Sequence, residues 1–206
     1  MSHSTNAVPG FLPSTHGLRF ANRFAPGPTV RLGPIDPRLV GVGDASSGLC
    51  GGMSWFVRDW FEVGLAVPGT AEAPPNGSPL FRVLVRRQVL SLDWLKVPLR
   101  FYAISAFGRP KAGSRAVDRD WSKITGFLDG DKMRILGLIR QSSWNPFGLS
   151  QNHQVLAYGY SDDGATRTLR IYDPNHPNDD AVVLEITDAG LRQSTGEPLL
   201  DLFDAG

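Results

Sequence analysis

The chain holds a single cysteine, Cys50, among 206 residues, so no intrachain disulfide can form. Neither sign of charge is in excess: 21 Lys and Arg against 20 Asp and Glu leave a formal net charge of +1. The longest basic block is Arg86-Arg87, inside an apolar stretch. These two absences argue against a nucleic-acid or anionic-membrane partner. No apolar run approaches a membrane span. Residues 1–10 also lack the basic start and apolar run of a secretory signal. The expectation is a cytoplasmic chain with no membrane span; oligomeric state leaves no signature in the sequence.

What is present is ordinary globular composition, 41% hydrophobic and 20% charged, at a length that suits one domain with a real core. Residues 1–37 are rich in Pro, Gly, Ser and Thr, and Pro26, Pro28, Pro34 and Pro37 oppose a helix. They read as an irregular arm that packs one short strand on the body and carries an aromatic piece, Arg19 to Phe24. Residues 38–206 read as one domain.

Met53, Phe56, Val57, Trp60 and Phe61 recur at i, i+3, i+4, i+7 and i+8, which predicts a helix over 50–62 closed by Gly64. Further helices are expected over 80–94 and over 117–128, the last closed by Gly130. The stretch 96–114 has no clear period. From Arg134 onward the pattern turns extended, with strands expected over 135–141, 152–160, 167–172 and 181–186. Helices followed by a run of antiparallel strands make an α+β architecture.

Cys50 opens the first helix in Gly48-Leu49-Cys50-Gly51-Gly52-Met53. A cysteine there meets the positive end of the helix dipole and unpaired N–H groups, which favour thiolate. The flanking glycines carry no side chain, which would let a substrate backbone approach, and the same N–H groups suit an oxyanion. Two glycines in a first turn cost about 1 kcal/mol each against alanine, a cost with no purely structural return in sequence terms.

His153 begins a predicted strand in Asn152-His153-Gln154-Val155-Leu156, and Asp162-Asp163-Gly164 reads as the turn that follows. A three-residue loop centred on Asp163 would set His153 directly opposite Asp173, with Cβ atoms about 5 Å apart. A loop one residue longer or shorter would move Asp173 to the other face. Asp173 precedes Pro174, which ends regular pairing, and its carboxylate could hold His153 in the tautomer that accepts the Cys50 proton. Asn175 is the second candidate for that orienting work.

The ordered trio, with the cysteine opening a helix and the histidine on a strand, resembles papain-like cysteine peptidases. Its nearest likeness is to the branch that includes the double-glycine leader peptidases. The resemblance runs from about Asp44 to Asn175 and implies a papain-like fold with Cys50, His153 and Asp173 as a triad and no cofactor. It also implies a peptide, amide or acyl substrate. In these families a glutamine about six residues before the cysteine donates to the oxyanion; here that place is Asp44, a carboxylate that would repel one. Gly51, Ser46, Ser47 and Asn152 are the replacement candidates, and the alternative is a hole that rests on the Cys50 backbone N–H alone.

Other readings use the same residues. An acyltransferase or transglutaminase-type reaction would need the same triad, because function lives in the pocket rather than the fold. A papain-like binding module without turnover would follow from a failed oxyanion hole. A metal site from Cys50, His153, His176 and Asp173 would lack any closely spaced ligand pair. Trp55, Trp60, Trp94, Trp121 and Trp144 could line an apolar pocket, although core is their commoner fate.

Overall fold

A computed structural model describes residues 3–26, 48–91, 96–107, 115–140 and 153–206. In chain order the elements are β1 (Ser4–Ala7), α1 (Pro13–His16), α2 (Cys50–Glu62), α3 (Pro79–Ser91), α4 (Lys96–Phe107) and α5 (Arg115–Asp129). The strands β2 (Arg134–Ile139), β3 (His153–Asp162), β4 (Arg167–Tyr172), β5 (Val183–Thr187), β6 (Gly190–Gln193) and β7 (Asp201–Asp204) follow. Helices first and an antiparallel sheet after them confirm the α+β class. No helix among the described residues is long and apolar enough to cross a membrane.

The strands form one sheet in the order β6-β5-β4-β3-β2-β7, every pairing antiparallel. β1 shares with β2 the same edge of β3, pairing with its far end. β3 is the centre: His153 to Tyr160 are all buried, the pattern of a strand covered on both faces. Helix α2 packs on β3 and α3, and α5 packs on β1, β3 and β7. The core joins Met53, Phe56 and Val57 of α2 to Leu84 of α3, Ile124 and Leu128 of α5, and Val155, Ile171 and Leu184 of the sheet.

The arm belongs to this core. Leu18, Phe20 and Phe24 are buried, and Phe24 meets Phe81 of α3 edge-on at 5.9 Å between ring centroids. The expected boundary at residue 37 falls outside the described residues. Trp121 is buried while Trp55 and Trp60 pack half-buried on the core; Trp94 and Trp144 lie outside the described residues.

One predicted helix end holds and one shifts. Gly64 closes α2 at φ 70°, and the end after α5 is turned by Asp131 at φ 57° instead of Gly130. The region without a clear period, from Lys96, is helix α4 as far as Phe107.

The glycines after Cys50 correct the sequence reading. A Cβ on Gly52 would land on the Leu84 carbonyl oxygen of α3, and one on Gly51 would overlap the Gln154 carboxamide and the Ser91 hydroxyl. Both positions are filled by the protein itself, so these glycines let α3 and β3 close on the first turn of α2 and do not open a path for substrate. Gly52→Ala is therefore expected to destabilise the fold by about 2–3 kcal/mol through overpacking. Gly126→Ala, where nothing lies within 4 Å of an added Cβ, should be neutral or stabilise by up to about 1 kcal/mol. Urea midpoints for the two variants check this; equal midpoints would sink the packing account.

Candidate active site

The site forms where the first turn of α2 meets the start of β3. Cys50 is half-buried at the first residue of α2. Its Sγ accepts the backbone N–H of Gln154 at 3.4 Å. His153 is buried beside it, 4% exposed, and Asp173 is fully buried behind His153.

His153 Nε2 and Asp173 Oδ1 lie 2.6 Å apart. A carboxylate only accepts, so Nε2 carries the hydrogen and Nδ1 is left for the thiol. Cys50 and His153 lie near enough for each to shift the other's proton affinity. The three predicted side chains are therefore gathered at one place, His153 bonded to Asp173 and electrostatically coupled to Cys50.

The route to this contact differs from the predicted one. The β3–β4 loop has four residues, 163–166, because Asp162 pairs with Arg167. Asp162 and Asp163 tie that loop by accepting backbone N–H groups of Gly164, Ala165 and Thr166 at 2.7–2.9 Å, and Gly164 sits at φ 83°. A loop one residue too long would send Asp173 to the face opposite His153. The register then slips between Ala157 and Gly159, leaving Tyr158 as a bulged residue. Beyond the slip Leu156 pairs with Tyr172, so the next step sets Asp173 across from Val155, on the face His153 shares. The two meet diagonally rather than directly, which a long imidazole can span.

Asp173 is held on all sides. Its Oδ1 also accepts the N–H of Asn175 at 2.8 Å, and its Oδ2 accepts Gln193 Nε2 at 2.7 Å. Arg140 sits 3.6 Å from Oδ2 and donates to Gln193 Oε1 at 3.0 Å. Gln193 and Arg140 went unnoticed in the sequence, because nothing local marks a residue that reaches the site from 20 positions along the chain. Asn175 does not orient His153 with its amide. Its side-chain oxygen accepts from Asn22 at 3.3 Å, and its contribution to the triad is its backbone N–H.

These contacts set the charges. Burial pushes the Cys50 thiol up, but the charge and hydrogen bond of His153, with the N–H groups of Gln154 and Gly51, bring it below its ordinary value. Burial likewise pushes His153 down, and the Asp173 carboxylate first, then Cys50, raise it to about 9. Asp173 would be raised by burial, yet His153, the Asn175 N–H and Arg140 hold it well below the usual carboxylate range. All three directions favour a thiolate–imidazolium pair backed by a carboxylate.

Of the oxyanion candidates, Gly51 lies beside the Cys50 sulfur, where its N–H helps to lower the thiol's proton affinity. Asp44, Ser46, Ser47 and Asn152 lie outside the described residues. Gly52 N–H is taken by Gln88 Oε1 at 2.7 Å, and Met53 N–H by the Leu49 carbonyl at 2.8 Å. His176, weighed as a metal ligand, pairs with Glu197 at 2.5 Å. No group of three or more His, Cys, Asp or Glu side chains that could hold a metal ion occurs among the described residues. Compared with known proteins, the chain matches no family model, no curated protein and no solved structure, so its function is read from the geometry of the site itself.

Proposed function

We propose that the chain is a papain-like cysteine hydrolase, related in kind to the double-glycine leader peptidases, that cleaves a peptide or amide bond through a thioester. The observation that carries the reading is the contact of His153 Nε2 with Asp173 at 2.6 Å, which leaves Nδ1 for a cysteine at a helix start. This is the arrangement nucleophilic catalysis needs: nucleophile, base, and a third group that orients the base.

Cys50 thiolate attacks the substrate carbonyl carbon. The carbonyl π electrons move to oxygen, and the collapsing intermediate expels an amine that takes the proton from His153. Water, deprotonated by the now neutral His153, then attacks the thioester and returns Cys50 as leaving thiolate. The Gly52 and Met53 N–H groups are taken, and the Cys50 and Gly51 N–H groups are the first-turn donors assigned to the oxyanion in this reading.

The test is a panel of peptidyl amides and acyl esters, followed by intact-mass detection of an acyl adduct on Cys50. An adduct that forms and is released by water supports the hydrolase. Release only when an amine is supplied would point to acyl transfer on the same triad. No adduct from any probe, with Cys50 alkylated only after unfolding, would leave a binding module and end the hydrolase reading.

A further inference from the structure

Asn22 sits in the N-terminal arm, in Arg19-Phe20-Ala21-Asn22-Arg23-Phe24, with buried Phe20 and Phe24 on either side. Its carboxamide oxygen accepts the N–H of Leu49 at 2.6 Å. Leu49 is the N-cap residue of α2, and its carbonyl accepts the first helical bond from Met53. The carboxamide also packs against Gly48, which holds φ 86°. On its other side Asn22 reaches the acid loop. Its backbone N–H donates to the Pro174 carbonyl at 2.9 Å, and its Nδ2 donates to Asn175 Oδ1 at 3.3 Å. One residue therefore bonds the segment that ends in Cys50 and the segment that follows Asp173.

We propose that Asn22 is a positioning residue that clasps the Cys50 turn to the Asp173 loop, making the arm a working part of the site. The inference rests on the hydrolase reading and deepens it. Cys50 follows Leu49 directly, and Asp173 precedes Pro174 directly, so each end of the clasp is one residue from a reacting or orienting side chain. A carboxamide suits this role because it accepts from one segment and donates to the other. Aspartate keeps the acceptor, loses the donor and adds a negative charge near the thiolate.

The experiment is the pH profile of iodoacetamide alkylation at Cys50 in the full chain, in wild type, Asn22→Ala, Asn22→Asp and His153→Ala, with thermal melts alongside. Asn22→Ala is expected to alkylate about fivefold more slowly at pH 6 and to move the profile toward higher pH. Asn22→Asp should move it further in the same direction, although aspartate keeps the bond to Leu49 N–H. In a His153→Ala background Asn22→Ala, which adds no charge, should add nothing, because the clasp acts through the pair. A merely structural Asn22 would lower the melting temperature and leave the profile of the folded protein in place, which overturns the proposal. Where Asn22→Ala fails to fold, the Asn22→Asp profile decides alone, and one that superimposes on wild type overturns it. A profile that His153→Ala leaves untouched takes down the hydrolase reading and the clasp with it. A profile that responds to His153→Ala and ignores both Asn22 variants takes down only the clasp.

Discussion

In His153→Ala, the rate of acyl-adduct formation at Cys50 is expected to fall by about 10³- to 10⁴-fold, the range a positioned general base supplies. Two losses combine. The thiol no longer has the imidazolium charge that outweighs its burial, and no group remains to protonate the leaving amine. The midpoint of the alkylation profile should rise, because the charge that holds the thiol below its ordinary value is gone and its burial is opposed only by backbone N–H groups. At the alkaline end of the profile, where the thiol ionises without help, alkylation should recover, and this separates lost activation from lost fold. Adduct formation is followed by intact mass and the alkylation profile by loss of free thiol. A histidine variant that acylates as fast as wild type would remove His153 from the chemistry.

The second large effect concerns the dependence of stability on pH. Folded, His153 keeps its proton up to about 9; unfolded, it releases it near 6.5. Alone, that raised value contributes stability that is fully present below pH 6.5 and lost as pH rises through about 9. Cys50 has the opposite sign. Its lowered value contributes stability present above the unfolded thiol value near 8.5 and lost as pH falls through the folded one. Where the folded pair holds its proton on His153 and the unfolded chain holds it on Cys50, the two contributions offset each other. Wild-type stability should therefore vary less with pH than it does without the thiol. In Cys50→Ala the histidine keeps Asp173 but loses the share of its raised value that Cys50 supplies, so stability should decline as pH rises from about 6.5 toward a folded value below about 9, by at most about 1.4 kcal/mol per pH unit. Urea unfolding of both proteins at half-unit steps from pH 6 to 9 measures the slopes. A wild-type curve as steep as the variant's would mean that Cys50 stays neutral in the fold.

Much of this architecture was legible locally. Helix α2 begins at Cys50 and ends at Glu62 as its apolar stripe required, and β4 spans Arg167–Tyr172 as expected of a short segment bounded by the Asp163-Gly164 turn and Pro174. The three side chains of the site were legible too, because each stands at a recognisable boundary: a helix start, a strand start, and a strand end before proline. Helix α4 was not, since Val97, Leu99, Tyr102 and Ile104 do not collect on one side of its sequence. Strands β6 and β7, of four residues each, are too short to show a period. Asn22, Arg140 and Gln193 escaped for a further reason: they act on the site through contacts distant in the chain, and an isolated Asn, Arg or Gln carries no periodic signal. The glycines were visible but misassigned, because their function is close packing against Leu84 and Gln154, both far along the chain.

The bulge at Tyr158 separates the two ends of the β3–β4 hairpin. Along this sequence the four-residue tip and the one-residue slip together bring Leu156 opposite Tyr172, and that pairing sets the side the carboxylate takes. His153 and Asp173 both lie beyond the slip, so their shared side is fixed by the distal pairing and insulated from the tip. Changes of length in the tip that leave Leu156 opposite Tyr172 therefore leave the contact in place.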